Sequence, residues 1–313
     1  MSEYLGLDTS NYTTSAAIFD SDTGEIRQKK KLLPVKEGEK GLRQSDALFH
    51  HIRQLPEVTD ELIRSCDIHA IGVSTRPRNI EGSYMPCFMA GETVAQSLSA
   101  IKNLPLYRTS HQVGHILAAL YSCERLDLAL GDKQFIAFHV SGGTTDCLLC
   151  TPDPDEVIRC SEISSSLDLK AGQAVDRVGV MLGLHFPCGP ELEKLALEST
   201  RKFKINPAMR DGSCSLSGVE NICKKMLQDG EPSCDIALYC IKYIESAITK
   251  MTEYALNAHG NLPLIYAGGV MSNTIIKESI TKRFAAHFAV PALSSDNACG
   301  VAIYAAIKDG EVK

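Results

Sequence analysis

No run of about 18 or more consecutive apolar residues occurs in this 313-residue chain, so a membrane-spanning helix is not expected. The opening residues lack a basic stretch followed by an apolar one; no export signal is expected, and the expected location is the cytoplasm. Excess positive charge is absent too. The formal net charge is -6, which argues against a surface built throughout to grip nucleic acid, DNA included. Without an export signal, the 12 cysteines read as reduced, small apolar residues rather than as a disulfide framework. Cys147 and Cys150 have C-x-x-C spacing, but they fall in a strand-like run where positions three apart face opposite ways, so the pair reads as structural.

What is present is ordinary for a soluble globular enzyme of one large domain or two lobes: 44% hydrophobic and 22% charged residues. Arg27, Lys29, Lys30, Lys31, Lys36, Lys40 and Arg43 crowd one short segment, interrupted by Glu37 and Glu39. Two readings stand, a solvated hairpin and loop or a local RNA contact.

The run TSHQVGHILAAL carries the sharpest chemical signal. Ser110 reads as an N-cap and the residues after it as a helix, which puts His111 and His115 on one face, about 5–6 Å apart at Cβ. That spacing suits one divalent metal; the alternative is two histidines that simply share a half-buried helix face.

Two hairpins recur along the chain. Tyr4 to Leu7 reads as a strand, Asp8, Thr9, Ser10 and Asn11 as a turn, and Ser15 to Phe19 as the return. Downstream, Phe135–Val140 is a strand, Ser141-Gly142-Gly143-Thr144 opens a turn, and Cys147 to Cys150 is the return. The repetition predicts a duplicated architecture of two lobes. Such tips suit anions, because small side chains let backbone N–H groups converge and hydroxyls add donors. Glycine and serine also fill tight turns for conformational reasons alone. A third glycine turn, Gly268-Gly269, follows the apolar run 262–267 and precedes a helix, and Asn273 there is placed to hydrogen-bond a base edge. Asp296 precedes a small-residue helix, where a capping role is the alternative to a ligand.

In this order the segments LGLDTSNYTTSAAIF, HQVGHILAAL, FHVSGGTTDCLL, AGQAVDRVGVMLGLHFPCGPELEKLA, CSLSGVENICKK, YAGGVMSN and SSDNACGVAIYAA resemble the tRNA threonylcarbamoyladenosine synthase family, TsaD type. The resemblance covers nearly the whole chain. It implies an actin-like ATPase (ASKHA) fold, α/β, with duplicated lobes at 1–130 and 131–296 and a C-terminal helix, 297–313, packing back on the first lobe. It implies one divalent metal, Fe or Zn, held by His111, His115 and Asp296, with His139 as a further ligand where archaeal members carry tyrosine; a buried strand histidine is the alternative for His139. Ser141, Gly142 and Gly143 match the phosphate turn, Asp176 the ribose contact, Gly189 and Glu193 the sugar and base lining, and Asn273 the adenine contact. For Asp176 and Arg177 the alternative is an exposed salt-bridging pair. The implied substrate is an acyl adenylate, the implied acceptor a tRNA adenosine next to the anticodon, and the implied partners are tRNA and an actin-like paralogous subunit.

Departures from the family pattern concentrate elsewhere. Tyr12 and Thr13 stand where the family carries an Asp-Glu pair linked to activity, and Arg76-Pro77-Arg78 replaces a Gly-Pro-Gly turn. Thr144, Gln173 and Glu220 replace a His or Asn, a Glu and a Lys. No catalytic acid or base is identified. Arg76 and Arg78, with Thr9 and Ser10 of the first hairpin, are anion candidates; arginines flanking Pro77 on a bare surface are the alternative. Three classes therefore compete: a carbamoyl transferase acting on tRNA or another acceptor, a non-catalytic metal- and nucleotide-binding subunit, and a metalloprotease. Gln112 occupies the place of a zincin's general-base glutamate, which argues against the protease. A sugar kinase follows from fold alone, and fold does not settle function.

Overall fold

The computed structural model describes residues 2–10, 12–34, 42–64, 66–294 and 298–312. Asn11, Lys36, Glu37, Glu39, Lys40 and Asp296, named above, lie outside them. Among the described residues no helix is long and apolar enough to cross a membrane. The chain divides into two compact units. Unit 1 comprises Met1–Asp132, Thr151–Arg159 and Ser295–Lys313; unit 2 comprises Lys133–Cys150 and Cys160–Ser294.

The sheet of unit 1 contains β1 (Glu3–Ser10), β2 (Thr13–Asp20), β3 (Ile26–Leu32), β4 (Ile68–Arg76) and β5 (Leu106–Ser110), in the order β3-β2-β1-β4-β5. β1–β2 and β2–β3 pair antiparallel, β1–β4 and β4–β5 parallel. Its helices are α1 (Gln44–Arg64), α2 (Phe88–Lys102), α3 (His111–Ser122), the short α4 (Asp127–Leu130) and a C-terminal helix, Ala298–Lys308. β1 is buried along its whole length because both faces are covered. Leu5 and Leu7 join Val58, Leu62 and Ala95 of α1 and α2. Tyr4, pointing the other way, joins Ala302, Ile303 and Ala306 of the C-terminal helix.

The C-terminal helix approaches that second face too closely for side chains. Gly6 and Gly72 are register partners on β1 and β4; a Cβ on Gly6 would lie 2.1 Å from the Ala298 carbonyl oxygen, and one on Gly72 2.3 Å from that of Val301. The sequence expectation of a turn at Asp8, Thr9 and Ser10 is corrected: β1 runs through all three, and Ser10 pairs directly with Thr13. Burial on both faces carries the strand past the point where hydroxyl-rich composition suggests a turn. The basic segment is largely β3, on which Arg27, Lys29 and Lys31 pair with Glu3, Glu61 and Glu57. Lysines already paired with acidic residues of the same surface favour the solvated reading over an RNA contact.

Unit 2 repeats the pattern. β6 (Phe135–Val140), β7 (Thr145–Asp153), β8 (Val157–Ser165), a ribbon of β9 (Ala208–Arg210) and β10 (Ser213–Ser215), β11 (Leu264–Ala267) and β12 (Ala286–Phe288) follow in the chain. The main sheet has the order β12-β11-β6-β7-β8, the same arrangement read from the opposite edge. Against it lie α5 (Ala171–Met181), α6 (Gly189–Ala196), α7 (Ser217–Gln228), α8 (Ser233–His259) and α9 (Thr274–Arg283), around a core that includes Phe138, Tyr266, Ile244 and Met251. Cys147 and Cys150 are both buried free thiols in β7, and the Cys150 sulfur lies 3.8 Å from that of Cys160 on β8.

The segment Thr151–Arg159, which the sequence expectation placed in the second lobe, belongs to unit 1. Glu156 accepts from Asn79 (2.8 Å) and pairs with Arg76 (3.3 Å), while Lys308 donates to the carbonyls of Pro154 (3.2 Å) and Asp155 (2.9 Å).

Candidate functional site

Within unit 1 the site is built at the start of α3. Ser110 caps the helix, its hydroxyl accepting from the Val113 N–H at 3.2 Å, and the helix begins at His111 as expected. His111 and His115 share a face, their ring centroids 4.7 Å apart. His111 is partly exposed, with Phe88 beside its ring, and His115 is buried.

A residue that sequence reading missed lies behind them. Asp8 of β1 is fully buried, and its Oδ1 lies 3.2 Å from Nδ1 of His111. Ser10 donates to Oδ2 at 2.6 Å and Ser74 of β4 to Oδ1. Burial alone would raise the Asp8 carboxyl; the imidazole of His111 and the two serine hydroxyls outweigh it and hold the group below the usual carboxylate range. The only sequence signal for Asp8 is an acid directly after the apolar stretch Tyr4–Leu7 of β1.

The helix that follows Asp296 starts against α3. A Cβ on Gly300 would lie 1.8 Å from the carbonyl oxygen of Gly114, the residue before His115. The two glycines let the helix backbones touch, which brings Gly300 to the turn of α3 that carries the histidines. Among the described residues there is no group of three or more His, Cys, Asp or Glu able to hold a metal. The donors present, two imidazoles with a buried carboxylate behind them, are of the chemical kind that zinc or ferrous iron takes.

The anion candidates of unit 1 fare differently. Thr9 donates its hydroxyl to the Cys87 carbonyl at 3.0 Å and accepts from the Gly91 N–H, tying β1 to α2. Ser10 donates to Asp8. Neither has a hydrogen left for an anion, because each was read as a turn residue and is a buried strand residue. Arg76 is held by Glu156 and by the Asn79 side chain at 3.1 Å, so an anion there would have to displace a carboxylate. Arg78 sits half-buried in the loop after β4.

In unit 2 the phosphate-turn candidates Ser141, Gly142 and Gly143 leave the end of β6 at the N-terminus of α5, where the Gly172 N–H donates to the Ser141 carbonyl at 3.1 Å. β6 and β11 are parallel neighbours, so the turn after each lies at the same, carboxyl end of the sheet. Gly268 is required by the fold: its φ is +100° and a Cβ would lie 2.2 Å from the Val140 carbonyl oxygen. Gly142 and Gly143 are not, since neither has a positive φ and a Cβ on either would meet nothing within 4 Å. Gly142→Ala and Gly143→Ala are expected to change stability by less than about 0.5 kcal/mol while weakening binding of AMP or an acyl adenylate about tenfold. Thermal unfolding and calorimetric titration check this; unchanged affinity would remove the turn from the site.

Asp176 accepts from the Cys188 N–H at 2.9 Å, which places it beside Gly189 at the start of α6. Burial raises its carboxyl above the ordinary range against the opposing Cys188 N–H. Arg177 pairs with Glu220 at 2.9 Å, so the expected Asp176–Arg177 salt-bridging alternative is not what forms. Glu193 on α6 accepts from both the N–H and the hydroxyl of Thr274, and Asn273 caps α9 by accepting from the Ile276 N–H at 3.1 Å. Asp176, Gly189, Glu193 and Asn273 are thus linked through the starts of α6 and α9. His139 lies buried on β6, in register with Asp146 of β7 and Ala267 of β11.

Residues 34–303 match the model of the family described as tRNA N6-adenosine threonylcarbamoyltransferase. The chain belongs to that family. Two curated relatives, each called a probable bifunctional tRNA threonylcarbamoyladenosine biosynthesis protein, come from Thermoplasma volcanium (25% identical over 278 residues) and Thermoplasma acidophilum (25% over 282 residues). These alignments cover 89% and 88% of the chain and 50% of each relative, so this family member spans about half their length. Among solved structures it is similar to component A of the Acidaminococcus fermentans (R)-2-hydroxyglutaryl-CoA dehydratase (TM-score 0.58, 17% identity, covering 99% of this chain and 100% of that one). It is also similar to HypF of T. kodakarensis (0.59, 11%, 100% and 48%) and to a ROK family glucokinase from Streptomyces griseus (0.51, 12%, 97% and 99%). At these identities the likeness is one of fold, the actin-like ATPase fold, which the twin sheet orders also express.

Proposed function

We propose that this family member is a metal-dependent transferase that moves a threonylcarbamoyl, or a related carbamoyl, group from an acyl adenylate to the exocyclic amine of a tRNA adenosine next to the anticodon. The observation that carries the reading is the His111–His115 pair, its rings 4.7 Å apart on α3 and backed by a buried carboxylate. His111, His115 and Asp296 would hold the ion. When bound, a divalent cation supplies Lewis acidity and charge stabilisation to the anhydride and the departing phosphate. The amine nitrogen attacks the carbamoyl carbon, the bond from that carbon to the phosphate oxygen breaks, AMP leaves with the electron pair, and the amine's proton passes to solvent water. Ser141, Gly142 and Gly143 bind the phosphate through backbone N–H groups, Asp176 takes the ribose hydroxyls, and Gly189, Glu193 and Asn273 orient the adenosine. An actin-like paralogous subunit is the proposed protein partner, and the cytoplasm the proposed location.

A second reading is favoured by one feature. Tyr12 and Thr13 stand where the family carries Asp and Glu, which fits a paralogue with another carbamoyl acceptor. Purified protein incubated with threonylcarbamoyl-adenylate, with and without tRNA, is expected to release AMP and to add the threonylcarbamoyl mass to tRNA, both followed by mass spectrometry. AMP release with unmodified tRNA would move the assignment to a different acceptor. Adenylate binding without AMP release would mark a non-catalytic subunit.

A further inference from the structure

Asp8 has a place in unit 1 that a purely structural carboxylate does not need. It is 1% exposed, in a strand whose other residues are nearly all apolar or hydroxyl-bearing, and a charged group so far from water is tolerated only when it is fully hydrogen-bonded. The bonds it has come from three directions. Ser10 follows on the same strand, Ser74 comes from β4, and His111 comes from the first turn of α3, 103 positions away in sequence. Each serine brings a hydroxyl hydrogen to a separate carboxylate oxygen, so Asp8 is held as an acceptor and its side chain cannot turn. The remaining contact, Oδ1 to Nδ1 of His111 at 3.2 Å, then needs its hydrogen on the imidazole.

We propose that Asp8 is the positioning residue of the metal site, holding His111 in the form protonated at Nδ1, so that the unprotonated Nε2 is the donor atom for the ion. The inference rests on the metal reading of the His111–His115 pair and adds to it the element that sets ring orientation. An imidazole held by a carboxylate through one nitrogen is more basic and better aimed at the other. Ser74 acts one step further back, fixing the oxygen that faces the ring.

The test uses the full chain. In metal-free protein labelled at histidine, long-range proton–nitrogen NMR reads which His111 nitrogen carries the hydrogen; competition with a chromophoric chelator gives the zinc affinity. The wild type is expected to show Nδ1 protonated. Asp8→Ala is expected to shift the ring toward the Nε2–H form and to weaken zinc about 10–100-fold. Asp8→Asn keeps the volume where the Ala variant fails to fold, and Ser74→Ala is expected to lower zinc affinity a few-fold with the fold intact. Folded Asp8→Ala or Asp8→Asn protein with wild-type tautomer and wild-type zinc affinity overturns the proposal. A wild type that takes up no zinc overturns the metal reading instead, and the tautomer measurement still decides whether Asp8 orients His111.

Discussion

Gly300→Ala is expected to lower the stability of unit 1 by about 3 kcal/mol or more, seen as a fall in midpoint of roughly 6–12 °C in thermal unfolding. In a helix interior alanine is favoured over glycine by about 1 kcal/mol, so helix propensity alone predicts the opposite sign. The contact decides. The added carbon would sit 1.8 Å from the Gly114 carbonyl oxygen and 2.8 Å from the Ala118 nitrogen, both main-chain atoms of a helix that has no rotamer to change. Nor can the C-terminal helix slide away, because Gly6 and Gly72 admit it against the sheet with equally little space. Separating it from α3 opens a void along Ala118 and Val301, which are fully buried. Zinc uptake is expected to fall with stability, since the displaced turn is the one carrying the histidines. Gly142→Ala, where a methyl group meets open space, is the control; a midpoint for Gly300→Ala within about 2 °C of wild type would sink this packing account.

The second large effect is a pH dependence centred on His51. This α1 residue is fully buried, with Nδ1 2.8 Å from the Thr14 hydroxyl, which itself donates to Gln54 Oε1 at 2.8 Å. Nδ1 therefore carries a hydrogen, and Nε2 is buried with no hydrogen-bond partner. Placing a proton there would put an unpaired charge in a dry site. Burial accordingly pushes the imidazole down from 6.5 to about 4, against a weaker opposing pull from the Asp8 carboxylate. The unfolded chain takes the proton near pH 6.5 and the folded one only near pH 4. The folded state thus binds fewer protons in that interval, and its stability is complete above the upper value and declines as pH falls through the window. The full loss amounts to about 3 kcal/mol. Urea unfolding at a series of pH values should show His51→Gln with a shallower decline than wild type between pH 6.5 and 4; parallel curves would show that another group is responsible.

Local features of the site were legible in the sequence and long-range ones were not. The cap at Ser110 and the spacing of His111 and His115 obey rules spanning one helical turn, and both stand in the structure. The duplicated hairpins foretold the twin sheets because alternating apolar residues and glycine-rich tips are short-range patterns. Asp8 was invisible as a partner of His111, since their contact depends on β1, β4 and α3 meeting. Thr9 and Ser10 misled for the same reason: their composition favours a turn, while burial by α2 and the sheet keeps them extended. Glu193 and Asn273 read as ligand contacts and turn out also to build the start of α9, Asn273 by capping it and Glu193 by accepting from Thr274, 81 residues later. Arg76 read as an anion binder, and its partner Glu156 comes from a hairpin tip 80 residues later.

The discontinuity of unit 1 has a consequence for synthesis. Its first 132 residues cannot complete their core until Ala298–Lys308 has left the ribosome, because that helix packs on the face of β1 and β4 bearing Gly6 and Gly72 and on the α3 surface at Gly114. Every residue of unit 2 has been made by Ser294. The half encoded second is thus the first with all its chain in hand, and the histidine helix waits with an uncovered apolar flank while its neighbour matures.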